Sequence, residues 1–412
     1  MSGSGSSAIS TPGSHRSWKR NQAAVTVATF IGFTGFTLVM PFLPLYLQQL
    51  GEHDVAAISV WSGLSLGVTP LVTAAMTPMW ARLAERTGKK LMVARSLLSF
   101  VFIMTAMAWV THPWQVFALR LVQGFFAGYG PLAMMLAAES APRDQMATAI
   151  GWVQTAQRLG PALGPVIGGL MVAAAGIRGS FYVSAVFYLG AFALVLIGYK
   201  DPPRAGRESD APAAKKPSMT WRDLRAVPTF LTAVAVIFAL QLVDRSFGPV
   251  LPLYLGEVGI AAARIPFLTG VIFTLVAAAA ALGNQLTGRL IESSPVARVV
   301  AACAAIAAAG ALVFAFGSSV PVMLLASPLF GAAMGIATTA VYTDVGHRVE
   351  SGARAAAFGY LQTAYLLGLA VSPVVAGFIG AWSMRAVFVA DAAGLAGVAW
   401  LVRGRMQAPA AQ

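Results

Sequence analysis

Long apolar runs separated by short polar connections cover almost the whole chain. Twelve runs are read, at 22–47, 58–80, 91–111, 114–137, 148–175, 180–199, 228–255, 264–287, 297–317, 320–343, 356–380 and 384–403. Each is close to the ~20 residues that a bilayer core requires of a helix. Their continuity predicts helices, since barrel strands alternate polar and apolar positions over only ~10 residues. The polar remainder divides the chain. Residues 1–21 are Ser/Gly-rich and then basic, and read as a disordered cytoplasmic N-terminus. A six-helix bundle over 22–199, a flexible cytoplasmic linker over 200–227, a second six-helix bundle over 228–404 and a short tail over 405–412 follow.

The two bundles read as copies. PFLPLYLQQLG from Pro41 to Gly51 returns as PVLPLYLGEVG from Pro249 to Gly259, 208 residues later. The fifth run, GWVQTAQRLGPALGPVIGG, returns in the eleventh as GYLQTAYLLGLAVSPVVAG at the same offset, and Glu292 falls opposite Glu85 within one residue of it. Two halves in one orientation predict a pseudo-twofold axis along the membrane normal and a central site near the midplane. The paired prolines predict a bend near the outer end of the first helix of each half.

Composition fixes the solvent. Hydrophobic residues make up 58% and charged residues 10%, which excludes a soluble globular domain. The net charge of +13 is a topological signal and implies no nucleic-acid partner. Odd-numbered connections hold only Arg178, Arg264 and Arg385, whereas nearly all other Lys and Arg fall at the termini and in even-numbered connections, so both termini are expected in the cytoplasm. The first run is too long for a signal peptide and carries internal prolines, so it is expected to remain as a helix. Cys303 is the sole cysteine, and His15, His53, His112 and His347 are scattered, which gives no disulfide and no metal-ligand cluster. TGKK lacks the spacing of a Walker A loop, which disfavours ATP as the driving force.

Charges inside apolar runs need reasons, because each costs about 2.5–3.5 kcal/mol at the bilayer centre on insertion scales. They are Arg120, Arg158, Asp244, Arg245 and Asp391. Adjacent side chains on a helix point ~100° apart, so Asp244 and Arg245 are expected to find different partners. Asp244 lies near the middle of its run and is the candidate proton carrier. Phe33, Phe36, Trp61, Tyr129, Trp152, Phe247 and Tyr365 are candidate linings for an apolar cavity, each with packing as the alternative role. Gly160, Gly164 and Gly168 form a small-residue stripe in the fifth helix that lets a neighbour approach closely; Gly368, Ser372 and Ala376 repeat it, as expected if both stripes line an interface between the halves.

These motifs resemble those of the major facilitator superfamily, and within it the twelve-helix drug:proton antiporter branch. The resemblance spans nearly the whole chain. Gly151, Gly160, Gly164, Pro165, Gly168 and Gly169 match the antiporter pattern of the fifth helix at every position. ARLAERTGKK, with Glu85, Arg86, Gly88, Lys89 and Lys90, resembles the family's gating loop between helices two and three. LRLVQGFFAG, with Arg120, Gln123, Gly124 and Gly128, resembles its buried-arginine motif.

The resemblance implies an all-α membrane protein of two pseudo-symmetric six-helix bundles. It implies a monomeric secondary exporter of amphiphilic compounds in a bacterial inner membrane, driven by proton entry through alternating access, with no cofactor and no enzymatic activity. It also implies a gating role for the Glu85 loop, near the start of helix eleven, and a peripheral, structural role for Asp391. An importer or facilitator of a small metabolite on the same fold is the alternative, disfavoured by the antiporter glycines; a non-transporting receptor is the third. The acid that many antiporters carry in the first helix is missing here.

Overall fold

A computed structural model describes residues 12–142, 145–200, 229–317, 319–349 and 354–405. The first eleven residues and nearly all of the expected linker and tail lie outside it. Among the described residues every regular element is helical. Eleven helices are long and apolar enough to cross a membrane, one of them the 51-residue stretch Thr148–Gly198. A straight helix of that length would reach ~75 Å at 1.5 Å per residue, more than twice the ~30 Å hydrocarbon core. It is two crossings. Gly176 adopts φ 72°, a conformation that costs glycine little, and breaks the stretch there.

The crossings are numbered accordingly. α1 is Pro12–Val39, continued by a 3-10 turn at Met40–Phe42 into Leu43–Gln49. α2 is Val55–Thr87, α3 is Lys89–Met107, and α4 is Pro113–Phe126 followed by Tyr129–Ser140. α5 and α6 are residues 146–175 and 177–193, the latter ending in a π-turn at Leu194–Gly198. α7 is Phe230–Asp244 and Phe247–Glu257, and α8 is Ile265–Ser293. α9 is Val296–Phe316, α10 is Val320–Arg348, α11 is Arg354–Trp382 and α12 is Met384–Arg405.

Twelve crossings return the chain to the side on which it started. We call that side the terminal face and the opposite one the far face. α1 begins at Pro12, ahead of its apolar run, which corrects the expected disorder for residues 12–21. Lys, Arg and Gln are good helix formers, so the helix extends past the hydrocarbon into the polar region.

The repeated peptide acts as the same tie in each half. Tyr46 of α1 donates its hydroxyl to the Met107 carbonyl at the far end of α3, and Tyr254 of α7 donates to Ala315 at the far end of α9, 61 residues on in both cases. Arg178 lies against the Tyr46 hydroxyl and Arg385 against that of Tyr254. Phe181 and Phe388 pack on the two rings at centroid distances of 4.9 and 5.0 Å. The proline bends are less alike than the repeated peptide suggests. α1 changes to a 3-10 turn at Pro41, but α7 runs as a helix through Pro249 and Pro252 and breaks upstream, at Arg245–Ser246.

The halves meet at the far face along two seams, α2 with α11 and α8 with α5. Both are built from the same glycines. A methyl group on Gly63 or Gly377 would come within 3.1 Å of the other's Cα, and Gly63 faces the Pro373 carbonyl. In the second seam Gly270 faces the Pro165 carbonyl, and a methyl on Gly169 would sit 2.7 Å from that of Pro266. Each residue of one seam has its counterpart in the other 207 or 208 positions away. Backbones touch in both, as small-residue packing in lipid permits.

Candidate functional site

The antiporter-type glycines of α5 serve two neighbours. Gly160, Gly164 and Gly168 face α1: a methyl on Gly160 would meet Phe33 Cβ at 2.9 Å and the Phe30 carbonyl at 3.0 Å, while Gly164 abuts Thr37 and Gly168 the Leu38 carbonyl. This corrects the expectation that the stripe meets the opposite half. Pro165 and Gly169, ~100° round the helix, are the residues that touch α8. α11 is divided in the same way: Gly368 faces Phe238 and Gln241 of α7, and Ser372 Oγ donates to the Leu242 carbonyl. The stripes therefore fasten α1 and α7, the helices that border the middle of the molecule, to their own halves.

Toward the terminal face the seams give out. Gly151 of α5 and Gly359 of α11 have open space around them. Gln154, Thr155, Gln362 and Thr363 are exposed at matching positions of the two helices. Thr155 and Thr363 return their hydroxyls to the Gly151 and Gly359 carbonyls of their own helices, whereas the glycine contacts that join the halves lie toward the far face, so the halves part toward the terminal face and leave a cleft between them.

The charges expected in the membrane interior separate into three settings. Arg158 is exposed, on the α5 face that carries Pro165 and Gly169 farther along, and so lies in the cleft. Asp244 and Arg245 pair with each other at 3.1 Å, Nε to Oδ2, contrary to the expectation of separate partners. The reason is the break: α7 ends at Asp244, and Arg245 takes φ −102°, ψ −4°, outside regular helix. The Arg245 side chain is 46% exposed and reaches the Tyr365 side chain of α11. Asp244 is 22% exposed.

Arg120 is elsewhere, wholly buried within the N-terminal half. Its Nη1 donates to Gln123 Oε1 at 2.8 Å, while Nε and Nη2 have no protein acceptor. No carboxylate pairs with it among the described residues. Asp391 is buried too, at 7% exposure, and accepts from Ser246 Oγ at 2.6 Å, beside the break in α7.

The aromatic candidates scatter. Tyr129 is buried, donating to the Thr29 carbonyl at 3.0 Å and packing on Phe33 at 5.4 Å. Phe247 is core, with Phe314, Phe330 and Phe388 each 5.1 Å from its ring. Phe36 is half-buried against the core, Trp61 packs edge-on to Phe117, and Trp152 is exposed. Tyr365 alone of these reaches the charged pair.

In the terminal-face loop, Lys89 pairs with Glu139 of α4 and Lys90 Nζ donates to the Tyr199 carbonyl at 2.6 Å, which ties the loop to its own half. Gly88 makes the turn at φ 100°. Glu85 and Arg86 are exposed, and Glu85 makes no ion pair among the described residues. Sequence reasoning missed two features. Ser246 has no signal of its own. Arg95, within α3, lies 3.4 Å over the Trp80 ring and donates to the Phe126 carbonyl at 3.1 Å, a cation–π contact that helix spacing alone does not reveal.

Comparisons with known proteins agree with this architecture. The family model described as Major Facilitator Superfamily matches residues 25–269 and again 237–411. Multidrug resistance protein MdtG of Enterobacter lignolyticus (strain SCF1) is 30% identical over 380 residues, covering 91% of this chain and 89% of the relative. MdtG of Escherichia coli (strain K12 / DH10B) is 30% identical over 388 residues, covering 91% of each. Among solved structures, a bacterial homologue of the human lysosomal transporter Spinster, in an inward-facing and occupied conformation, superposes with TM-score 0.78 at 15% identity, over 94% of this chain and 96% of that one. The nucleoside transporter NupG superposes with TM-score 0.72 at 15% identity, over 94% and 99%. At these identities the solved structures speak for the fold.

Proposed function

The chain belongs to the major facilitator superfamily and is a multi-pass inner-membrane transporter, not an enzyme, and from that premise we propose that it exports amphiphilic compounds in exchange for protons by alternating access. The observation that carries this reading is the cleft: closed at the far face by twin glycine seams, open at the terminal face, and bearing Arg158, Asp244, Arg245 and Tyr365 part-way across the membrane. The distribution of Lys and Arg supports a cytoplasmic terminal face, which makes the open cleft the loading side for an exporter. The relatives that match over nine-tenths of the chain are named for multidrug resistance, which supports export over uptake.

Asp244 is the acid in the cleft. As a carboxylate it holds Arg245. A proton arriving from the far side would discharge it, release the guanidinium toward Tyr365 and alter the cleft wall that the drug contacts. Drug and proton then compete for one cavity, the minimum that antiport requires. The Glu85 loop is the gate: exposed while the cleft is open, it closes against the other half when the cleft shuts. The protein acts as a monomer, with the proton gradient as driving force and no cofactor. The reading is tested in inverted vesicles with an imposed pH gradient and a panel of lipophilic cations. Accumulation that collapses with the gradient is expected; accumulation indifferent to it contradicts proton coupling.

A further inference from the structure

Two acceptors compete for one hydrogen at the break in α7. Ser246 Oγ lies 2.8 Å from the Val243 carbonyl and 2.6 Å from Asp391 Oδ2. A hydroxyl has one proton to donate. With Asp391 ionised, the Ser246 proton turns to the carboxylate, and Val243 keeps its backbone bonds, one from the Ser246 amide at 3.3 Å and one from the Arg245 amide, which is shared with Gln241. With Asp391 protonated, its own O–H donates to Ser246 Oγ and the Ser246 proton goes on to Val243. That relay satisfies every member.

Nothing else near Asp391 stabilises a charge. Phe388, one helical turn from Asp391 on the same face of α12, packs with Phe247 and Phe314. At its depth the titratable and charged groups of the helices packed on α12 are Cys303 of α9, Asp244 and Arg245 of α7, and Tyr365 of α11. Arg298, Tyr360 and Arg403 lie toward the terminal face, and Tyr254, Glu257 and Arg385 toward the far face. None of them pairs with Asp391; Ser246 is the one polar contact it makes among the described residues.

The other half shows what a static version looks like. Ser184 of α6 is the counterpart of Asp391, and Gly35 of α1 that of Val243, at the offsets of 207 and 208 that relate the halves. Ser184 Oγ donates directly to the Gly35 carbonyl, and α1 runs unbroken through this point.

We propose that Asp391 is a second proton-binding site, and that its protonation, by moving the Ser246 hydrogen from Oδ2 to the Val243 carbonyl, sets the conformation of the break that carries Asp244 and Arg245. The step adds one proton to a carboxylate and reorients one hydroxyl; no other bond changes. The proposal deepens the antiport reading by making α7 itself proton-sensitive, but its test needs no substrate.

The test is infrared difference spectroscopy of the full-length protein in lipid vesicles across a pH titration, paired with hydrogen exchange of a peptide spanning residues 243–248. In wild type and Asp244→Asn a protonated-carboxyl band is expected to grow as pH falls, and the exchange, taken relative to the intrinsic amide rate at each pH, should track it. Adding Asp391→Asn to Asp244→Asn should remove that band, and in Asp391→Asn the exchange should no longer follow pH. Ser246→Ala keeps the carboxyl but removes its acceptor, so the band should persist at a displaced frequency; this variant carries the test if Asp391→Asn does not fold. A band retained when Asp391→Asn is added to Asp244→Asn, or unmoved in Ser246→Ala, overturns the proposal. Wild-type exchange that ignores the titration overturns it as well. Transport without pH dependence, with these spectra as expected, would instead count against the antiport reading.

Discussion

The N-terminal and C-terminal halves share their scaffold and differ at one point. Both tie the far end of their first helix down with the same tyrosine, to Met107 in one case and Ala315 in the other. Both meet the opposite half through the same glycine and proline positions. At the level of Gly35, however, α1 is continuous and its carbonyl is met by a serine hydroxyl, whereas α7 breaks at Arg245–Ser246, with Asp244 and Arg245 at the break and Asp391 of α12 bonded to Ser246. Duplication supplies a symmetric frame, and the break in α7 with its acid is what sets one half apart from the other.

The comparison can be broken hardest at the seams. Gly63→Leu and Gly270→Leu put matching side chains against the Pro373 and Pro165 carbonyls, where no space exists. Each should abolish transport with the protein still inserted, and each should raise labelling of a cysteine placed at the far end of the cleft. One variant tolerated and the other not would show that the seams are unequal.

A second contrast sets buried charge against buried charge. Arg120 has two guanidinium nitrogens without a protein acceptor, and a buried charge that no partner compensates carries a desolvation cost that an apolar side chain of similar bulk does not. Arg120→Met is therefore expected to raise the melting temperature while transport is lost, with Arg120→Lys recovering part of the activity. A destabilised Met variant would instead make Arg120 a structural support.

The smallest effects should be the most alike. Tyr46→Phe and Tyr254→Phe each remove one buried hydrogen bond to a carbonyl, worth about 0.5–1.5 kcal/mol. Equal shifts in thermal unfolding are expected. A tie that mattered in only one half would show as a clear inequality.

Much of this frame was legible in the sequence, because lipid imposes length and continuity on every crossing. The twelve runs, the duplication and the separate helices on either side of Gly176 follow from that constraint. The partners were less legible. Spacing puts Gly160, Gly164 and Gly168 on one face, but periodicity does not say which neighbour the face meets, and it meets α1. Asp244 and Arg245 pair because α7 stops between them; Pro249, which cannot donate to the Arg245 carbonyl and crowds it, puts the break one turn upstream of the proline itself. Asp391 reads as peripheral from its helix, yet its side chain points inward to a serine 145 residues earlier in the chain.

The central claim is that the cleft acid on α7 couples drug movement to protons. It is tested most directly by Asp244→Asn in vesicles under an imposed pH gradient, with drug binding measured on the same preparation. Binding close to wild type together with loss of gradient-driven accumulation is the expected result; accumulation by the Asn variant that matches wild type would contradict the account.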